Sequence, residues 1–97
     1  MKEYKIDRYR LFYLSGPKDY VAKITSYNDI TRVAMIFFID DSMSLPENFL
    51  DNLPMKIYYP LSSFQNILTI LENEKPLSIF VYDNGKTCEI GSQDFLT

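Results

Sequence analysis

Histidine is absent from this chain, and cysteine occurs once, at Cys88. The first absence removes the commonest general base, the Ser-His-Asp and Cys-His nucleophile arrangements, and imidazole ligation of metals. A lone thiol without histidine cannot build a structural zinc site or close an internal disulfide. Small secreted domains usually carry several disulfides, so the composition points to a reducing cytoplasm. Long apolar runs are also missing. The longest, Val33–Ile39, spans seven residues, against the roughly 20 that a bilayer-crossing helix needs. The first ten residues are charged and lack an apolar stretch of the signal-peptide kind. These features predict a soluble, cytoplasmic protein with no membrane partner.

What is present suits a small globular fold. Ninety-seven residues make one domain, residues 1–97, with a single core and no second lobe to close a cleft. Hydrophobic residues make up 46% and aromatic residues 15%, too many for a disordered chain. Eight Tyr and seven Phe exceed what one small core readily buries, since each ring carries about 150–250 Å². Several rings therefore lie on the surface or under an interface, and an interface points to a homodimer. The net charge of −3 is unevenly spread. Residues 1–36 hold seven Lys/Arg and four acids, a net +3, while residues 37–97 hold three Lys and nine acids, a net −6. A basic first third marks either a polyanion-facing sheet or simply two surfaces of different sign.

Arg8 to Leu14 is rich in residues that suit a pleated surface, with Arg8, Arg10, Phe12 and Leu14 on one face and Tyr9, Leu11 and Tyr13 on the other. Ser15 to Asp19 forms a turn, Tyr20 to Tyr27 a second strand and Asn28-Asp29 a second turn. Arg32 to Asp40 is apolar on both faces and reads as a central strand. In the connection that follows, Ser44 and Glu47 have capping-box spacing and predict a helical turn or two over Pro46 to Asn52. Met55 to Tyr59 is a fourth strand. Phe64, Ile67, Leu68 and Leu71 then recur at helical spacing behind Ser62 as N-cap, with Lys75 in the last turn and Pro76 as the stop. Leu77 to Tyr82 and Lys86 to Ile90 form a hairpin about a two-residue type I′ turn, Asn84-Gly85, across which Asp83 faces Lys86. The expectation is an α+β fold: one antiparallel sheet of about six strands, in sequence order β-β-β-β-α-β-β, with the main helix packed on one face. Tyr9, Tyr13, Tyr20 and Tyr27 are expected on the other face, toward a partner.

No segment carries a catalytic signature. Ser15-Gly16-Pro17-Lys18 fits the S-x-x-K pattern of penicillin-recognising enzymes, but Gly-Pro breaks the helix that would bring Lys over Ser, and the companion elements are absent. Asp40, Asp41, Glu47 and Asp51 share a loop without the glycine and ligand spacing of calcium sites. One glycine at Gly85 is not a phosphate cradle. Cys88 alternates within a strand, where a thiol reads as a small apolar residue. No catalytic, cofactor-binding or metal-ligating residues are assigned. One constellation has binding content: Lys2, Tyr4, Lys5, Arg8, Tyr9, Arg10, Phe12 and Tyr13 interleave cations that attract phosphates with rings on which bases stack.

Two segments also resemble a known family. Lys56-Ile57-Tyr58-Tyr59-Pro60-Leu61 and Leu71-Glu72-Asn73-Glu74-Lys75-Pro76-Leu77, with the N-terminal Tyr4-Lys5-Ile6-Asp7-Arg8-Tyr9-Arg10, are similar to a group of small bacterial proteins. In that group a strand ending Tyr-Tyr-Pro-Leu leads into a helix closing on Leu-Arg-Asn-Glu-Lys-Pro-Val and then a hairpin. Here Glu72 stands in place of that Arg, and Ser92-Gln93-Asp94-Phe95 replaces a Glu-Pro-Val-Gly-Glu segment. The group resembles dimeric single-stranded-DNA-binding transcriptional regulators of the Whirly type, in which four strands precede a helix. The resemblance implies that architecture and brings no functional residues with it.

The expected function is that of a non-enzymatic binding module, a homodimer that holds single-stranded nucleic acid weakly through Lys5, Arg8, Tyr9, Arg10 and Tyr13. The competing expectation is a protein–protein adaptor without nucleic-acid affinity, working through a Tyr-rich sheet face.

Overall fold

The computed structural model describes residues 1–92. Seven strands and one helix follow in the order β1 (Lys2–Ile6), β2 (Arg8–Tyr13), β3 (Ala22–Asn28), β4 (Thr31–Ile39), β5 (Met55–Pro60), α1 (Phe64–Asn73), β6 (Leu77–Val81) and β7 (Cys88–Gly91). The α+β class agrees with expectation. The single six-stranded sheet does not: there are two sheets, β1-β6-β7 and β2-β3-β4-β5.

The first difference is β1. Its Lys-Glu-Tyr-Lys-Ile sequence is masked by charge, but Tyr4 and Ile6 alternate toward the core while Glu3 and Lys5 point outward, and the strand pairs antiparallel with β6. The second is β5, which runs parallel to β4 from Ala34↔Met55 to Ile39↔Pro60. A parallel pair needs a crossover of a dozen or more residues, and residues 40–54 supply it.

That crossover is not helical at Pro46 to Asn52. Phe49 and Lys56 exchange backbone hydrogen bonds at 2.8 Å in both directions, and the Asn48 carboxamide accepts the Tyr58 N–H at 2.9 Å. Leu50 is buried, and Glu47 pairs with Lys86 at 2.9 Å instead of capping a helix. The connection gains more from lacing onto β5 than from one isolated helical turn.

The main helix starts later than its N-cap signal. Leu61–Ser63 is a 3₁₀ turn, no side chain caps α1, and the Asp41 carboxylate accepts the Ser62 N–H from across the fold at 3.1 Å. The helix ends at Asn73, so Lys75 lies beyond its last turn. The terminal hairpin also differs. Only Gly85 takes a positive φ, 70°, and Tyr82 N–H donates to the Thr87 carbonyl, enclosing four residues. A type I′ turn needs two positive φ angles. Asp83 pairs with the Met1 amino group and Lys86 with Glu47, so the two do not face each other.

The larger sheet is amphipathic by pleat. Ala22, Ile24, Ala34, Ile36, Phe38, Met55 and Ile57 form its buried face, at or near zero exposure. Ile67 and Leu71 of α1 and Leu77, Ile79 and Val81 of β6 close over them in one shared core. Phe64 meets Phe38 edge-on at 4.9 Å between ring centroids. The β3–β4 corner is held by polar contacts. Asp29 adopts φ 55°, which a short Asx side chain tolerates, and its N–H donates to the Asp7 carboxylate at 2.8 Å. A register shift beside Ser26 leaves Val33 as an extra buried residue, and Ser26 Oγ donates to the Ala34 carbonyl at 3.2 Å. Among the described residues no helix is long and apolar enough to cross a membrane.

Phe38 is fully buried and touches rings from β5 and α1. Phe38→Ala should therefore cost about 3–5 kcal/mol, read as a lower denaturant midpoint at unchanged slope in an equilibrium unfolding titration.

Candidate nucleic-acid interface

The solvent side of the larger sheet carries the charge. Strands β2 to β5 contain five cations, Arg8, Arg10, Lys23, Arg32 and Lys56, and no Asp or Glu. Cross-strand register puts all five on the face opposite the core, in three transverse rungs. Phe12–Lys23–Phe37–Tyr58 forms one, Arg10–Thr25–Met35–Lys56 the next, and Arg8–Tyr27–Arg32 the third. Successive rungs are two residues apart along the strands, roughly 6.8 Å.

Rings and cations interleave on this face. The Arg8 guanidinium lies 4.4 Å from the centre of the Tyr27 ring and donates to the Asp29 carbonyl at 3.2 Å. Lys23 Nζ sits 5.2 Å from the Phe12 ring and 6.0 Å from that of Tyr20. Tyr20 meets Phe37 edge-on at 4.9 Å, and Phe37 stacks beside Tyr58 at 5.4 Å. Neither of the two ion pairs among the described residues involves a cation of this sheet. A chain of net charge −3 thus gathers five cations on one face of this sheet, none of them in an ion pair among the described residues.

The five residues named from the sequence separate in space. Arg8 and Arg10 stand on the basic face. Tyr9 and Tyr13 belong to the opposite pleat, where Tyr9 packs against the core and Tyr13 meets Phe64 at 5.9 Å. Lys5 lies on the outer face of the smaller sheet, the face that also carries Glu3 and Glu89. The four tyrosines expected together on an outer face divide likewise, Tyr20 and Tyr27 on the basic side and Tyr9 and Tyr13 on the other. Lys5, Arg8 and Tyr9 do meet at a groove of about 780 Å³, but Asp7, Glu72 and Glu74 also line it. That mixed charge offers a polyanion nothing. Lys23, Arg32, Lys56, Phe37 and Tyr58, not among those five, share the basic face with Arg8 and Arg10. The signal for them was the period-2 parity of four strands that carry cations and no acids.

Other chemistry is not assembled. No group of three or more Cys, Asp or Glu among the described residues could hold a metal ion. Three carboxylates of the acidic loop make structural contacts: Asp40 accepts Ser42 N–H and Oγ–H, which lowers its pKa, and Asp41 and Glu47 are engaged as above. Burial pushes the Cys88 thiol up to about 11, so it is not a ready nucleophile. The Tyr59 hydroxyl is pushed up to about 12 by burial, then by the nearby Cys88 and Glu89.

No protein-family model matches the chain, and neither a curated protein nor a solved structure matches it at significance.

Both raised groups fold in their neutral forms, so their contribution is complete below the ordinary values of 9.0 and 10.0 and is lost as pH rises through about 11 and about 12. Thermal melts should show a midpoint that falls as pH climbs from 9 toward 12. In Tyr59→Phe the part of that fall above pH 10 should shrink.

Proposed function

We propose that this protein is a non-enzymatic binding module that holds single-stranded nucleic acid on the basic face of its larger sheet. One observation carries the reading: every cation of that sheet projects from one face, among rings, with no carboxylate in any of its four strands. Cations supply the salt-dependent attraction to phosphates, and rings supply stacking that tolerates any base. A rung spacing of roughly 6.8 Å is about twice the 3.4 Å rise of a stacked strand. A strand extended to one nucleotide per rung has its bases unstacked, a conformation open to single strands and not to duplex. The resemblance to Whirly-type regulators points the same way.

The partner proposed for the module is a second copy of itself, joined through β2. This strand is an edge, paired on one side with β3 alone. Leu14 N–H donates to the Val21 carbonyl, so alternation turns the N–H and C=O groups of Tyr9, Leu11 and Tyr13 toward the open side. Leu11, Phe12 and Tyr13 are 45%, 41% and 66% exposed, and no proline, bulge or lysine blunts the edge. An antiparallel pairing centred on Leu11 sets Tyr9 against Tyr13, Arg10 against Phe12 and Arg8 against Leu14. No arginine then faces another, and the two basic faces become one.

Fluorescence anisotropy of a labelled single-stranded oligonucleotide, titrated at several salt concentrations, tests the face. Arg10→Ala with Lys56→Ala should weaken binding and reduce the slope of log affinity against log salt by about 1.4, at roughly 0.7 per phosphate contact. Lys5→Ala, on the other sheet, should change neither. No binding to the unaltered protein at low salt would refute the reading and reassign the face to a protein partner. Light scattering should give twice the chain mass, and Leu11→Lys, which brings like charges together at the symmetry centre, should give the single-chain mass.

A further inference from the structure

At the β4–β5 end of the basic face the surface sinks into a cavity of about 420 Å³. Its walls include Tyr20, Phe37, Tyr58, Ile39 and Met43, with Asp19 at one side. Phe37 and Tyr58 are the last two members of the aromatic rung, so the cavity is continuous with the face where Lys23 stands between Phe12 and Tyr20. We propose that this cavity receives one unstacked nucleobase of the strand held on the basic face. The inference rests on the nucleic-acid reading and assigns it a base-holding subsite.

Shape and chemistry both select a flat aromatic guest. The Phe37 and Tyr58 rings lie within 20° of parallel, and Tyr20 stands against Phe37 at 65°. The stacked pair forms one aromatic wall of the cavity and Tyr20 another. The volume falls within the roughly 300–1,000 Å³ of small-molecule sites, enough for a base without its sugar. The Met43 thioether is soft and makes favourable contacts with rings. It is 55% exposed, free to settle over a guest. Asp19 and Ser44 supply polar atoms for the base edge. The charge that delivers the guest is on the sheet: Lys23 on the aromatic rung and Lys56 on the next attract the flanking phosphates. A purely aliphatic ligand would gain nothing from those cations, and a free anion would gain nothing from the rings.

The test compares two single strands of about twelve nucleotides, within the site sizes of single-strand binders. One is abasic throughout, and the other is identical except for a central 2-aminopurine. The base-bearing strand should bind about 5- to 150-fold more tightly, the equivalent of one stacked base, and its fluorescence should be quenched on binding. Tyr58→Ala should abolish both the gain and the quench, so that the two strands bind that variant alike. Phe37→Leu, which keeps apolar volume and removes the ring, guards against loss of folding and should behave alike. Equal affinity for both strands, with salt-sensitive binding intact, would overturn the base site and leave the proposed function standing. Failure of either strand to bind at low salt, where a labelled natural oligonucleotide fails too, would overturn both.

Discussion

Burial of one transverse row of side chains orders the larger sheet. Ile24, Ile36 and Ile57 are register partners on β3, β4 and β5, all at or near zero exposure. Because successive residues of a strand point to opposite faces, placing this row in the core leaves no freedom for the next one. Lys23, Phe37 and Tyr58 on one side of it, and Thr25, Met35 and Lys56 on the other, must face outward. A slip of one residue would drive the cations into the core and the isoleucines into water. The basic face is the obligatory reverse side of the hydrophobic core, and its charge pattern is as firmly held as the core itself.

The remaining elements serve that arrangement. The helix and the smaller sheet close the buried side, Phe64 against Phe38 and Ile79 and Val81 within the same cluster. Acidic residues are kept off the larger sheet. Asp40 and Asp41 lie in the crossover, Glu47 meets Lys86, and Glu3 and Glu89 belong to the smaller sheet. The −3 net charge and the positive face coexist because opposite charges occupy different layers. At the β3–β4 corner, Asp7 and Arg8 brace the turn through the N–H and carbonyl of Asp29. Arg8 thus serves the fold as well as the face.

Much of this was legible in local sequence. The parity of Arg8, Arg10 and Phe12 against Tyr9, Leu11 and Tyr13 is a property of any strand and needed no tertiary information. The central place of the apolar Arg32 to Asp40 segment and the helical stripe from Phe64 to Leu71 followed from periodicity alone. Other local signals were outcompeted. Ser44 and Glu47 have capping-box spacing, yet pairing of Phe49 with Lys56 and of Glu47 with Lys86 won over an isolated turn. Lys5 is close to Arg8 in sequence but belongs to the other sheet, because the chain changes layer at Asp7. The Ser92-Gln93-Asp94-Phe95 segment falls largely outside the described residues.

By itself the sequence determined the chemistry on offer and the face of each strand: no imidazole, one thiol, cations without acids in four strands, and alternation that sorts them from the apolar set. Only the tertiary structure decided which strands are neighbours. Backbone pairing is chemically the same for every strand, so no side-chain pattern states that β1 joins β6 or that β5 runs parallel to β4. Those pairings join residues up to 79 positions apart, as in Lys2↔Val81. They gather Arg10, Lys23, Arg32 and Lys56 from four strands into one surface. The surface exists because the core chose the partners.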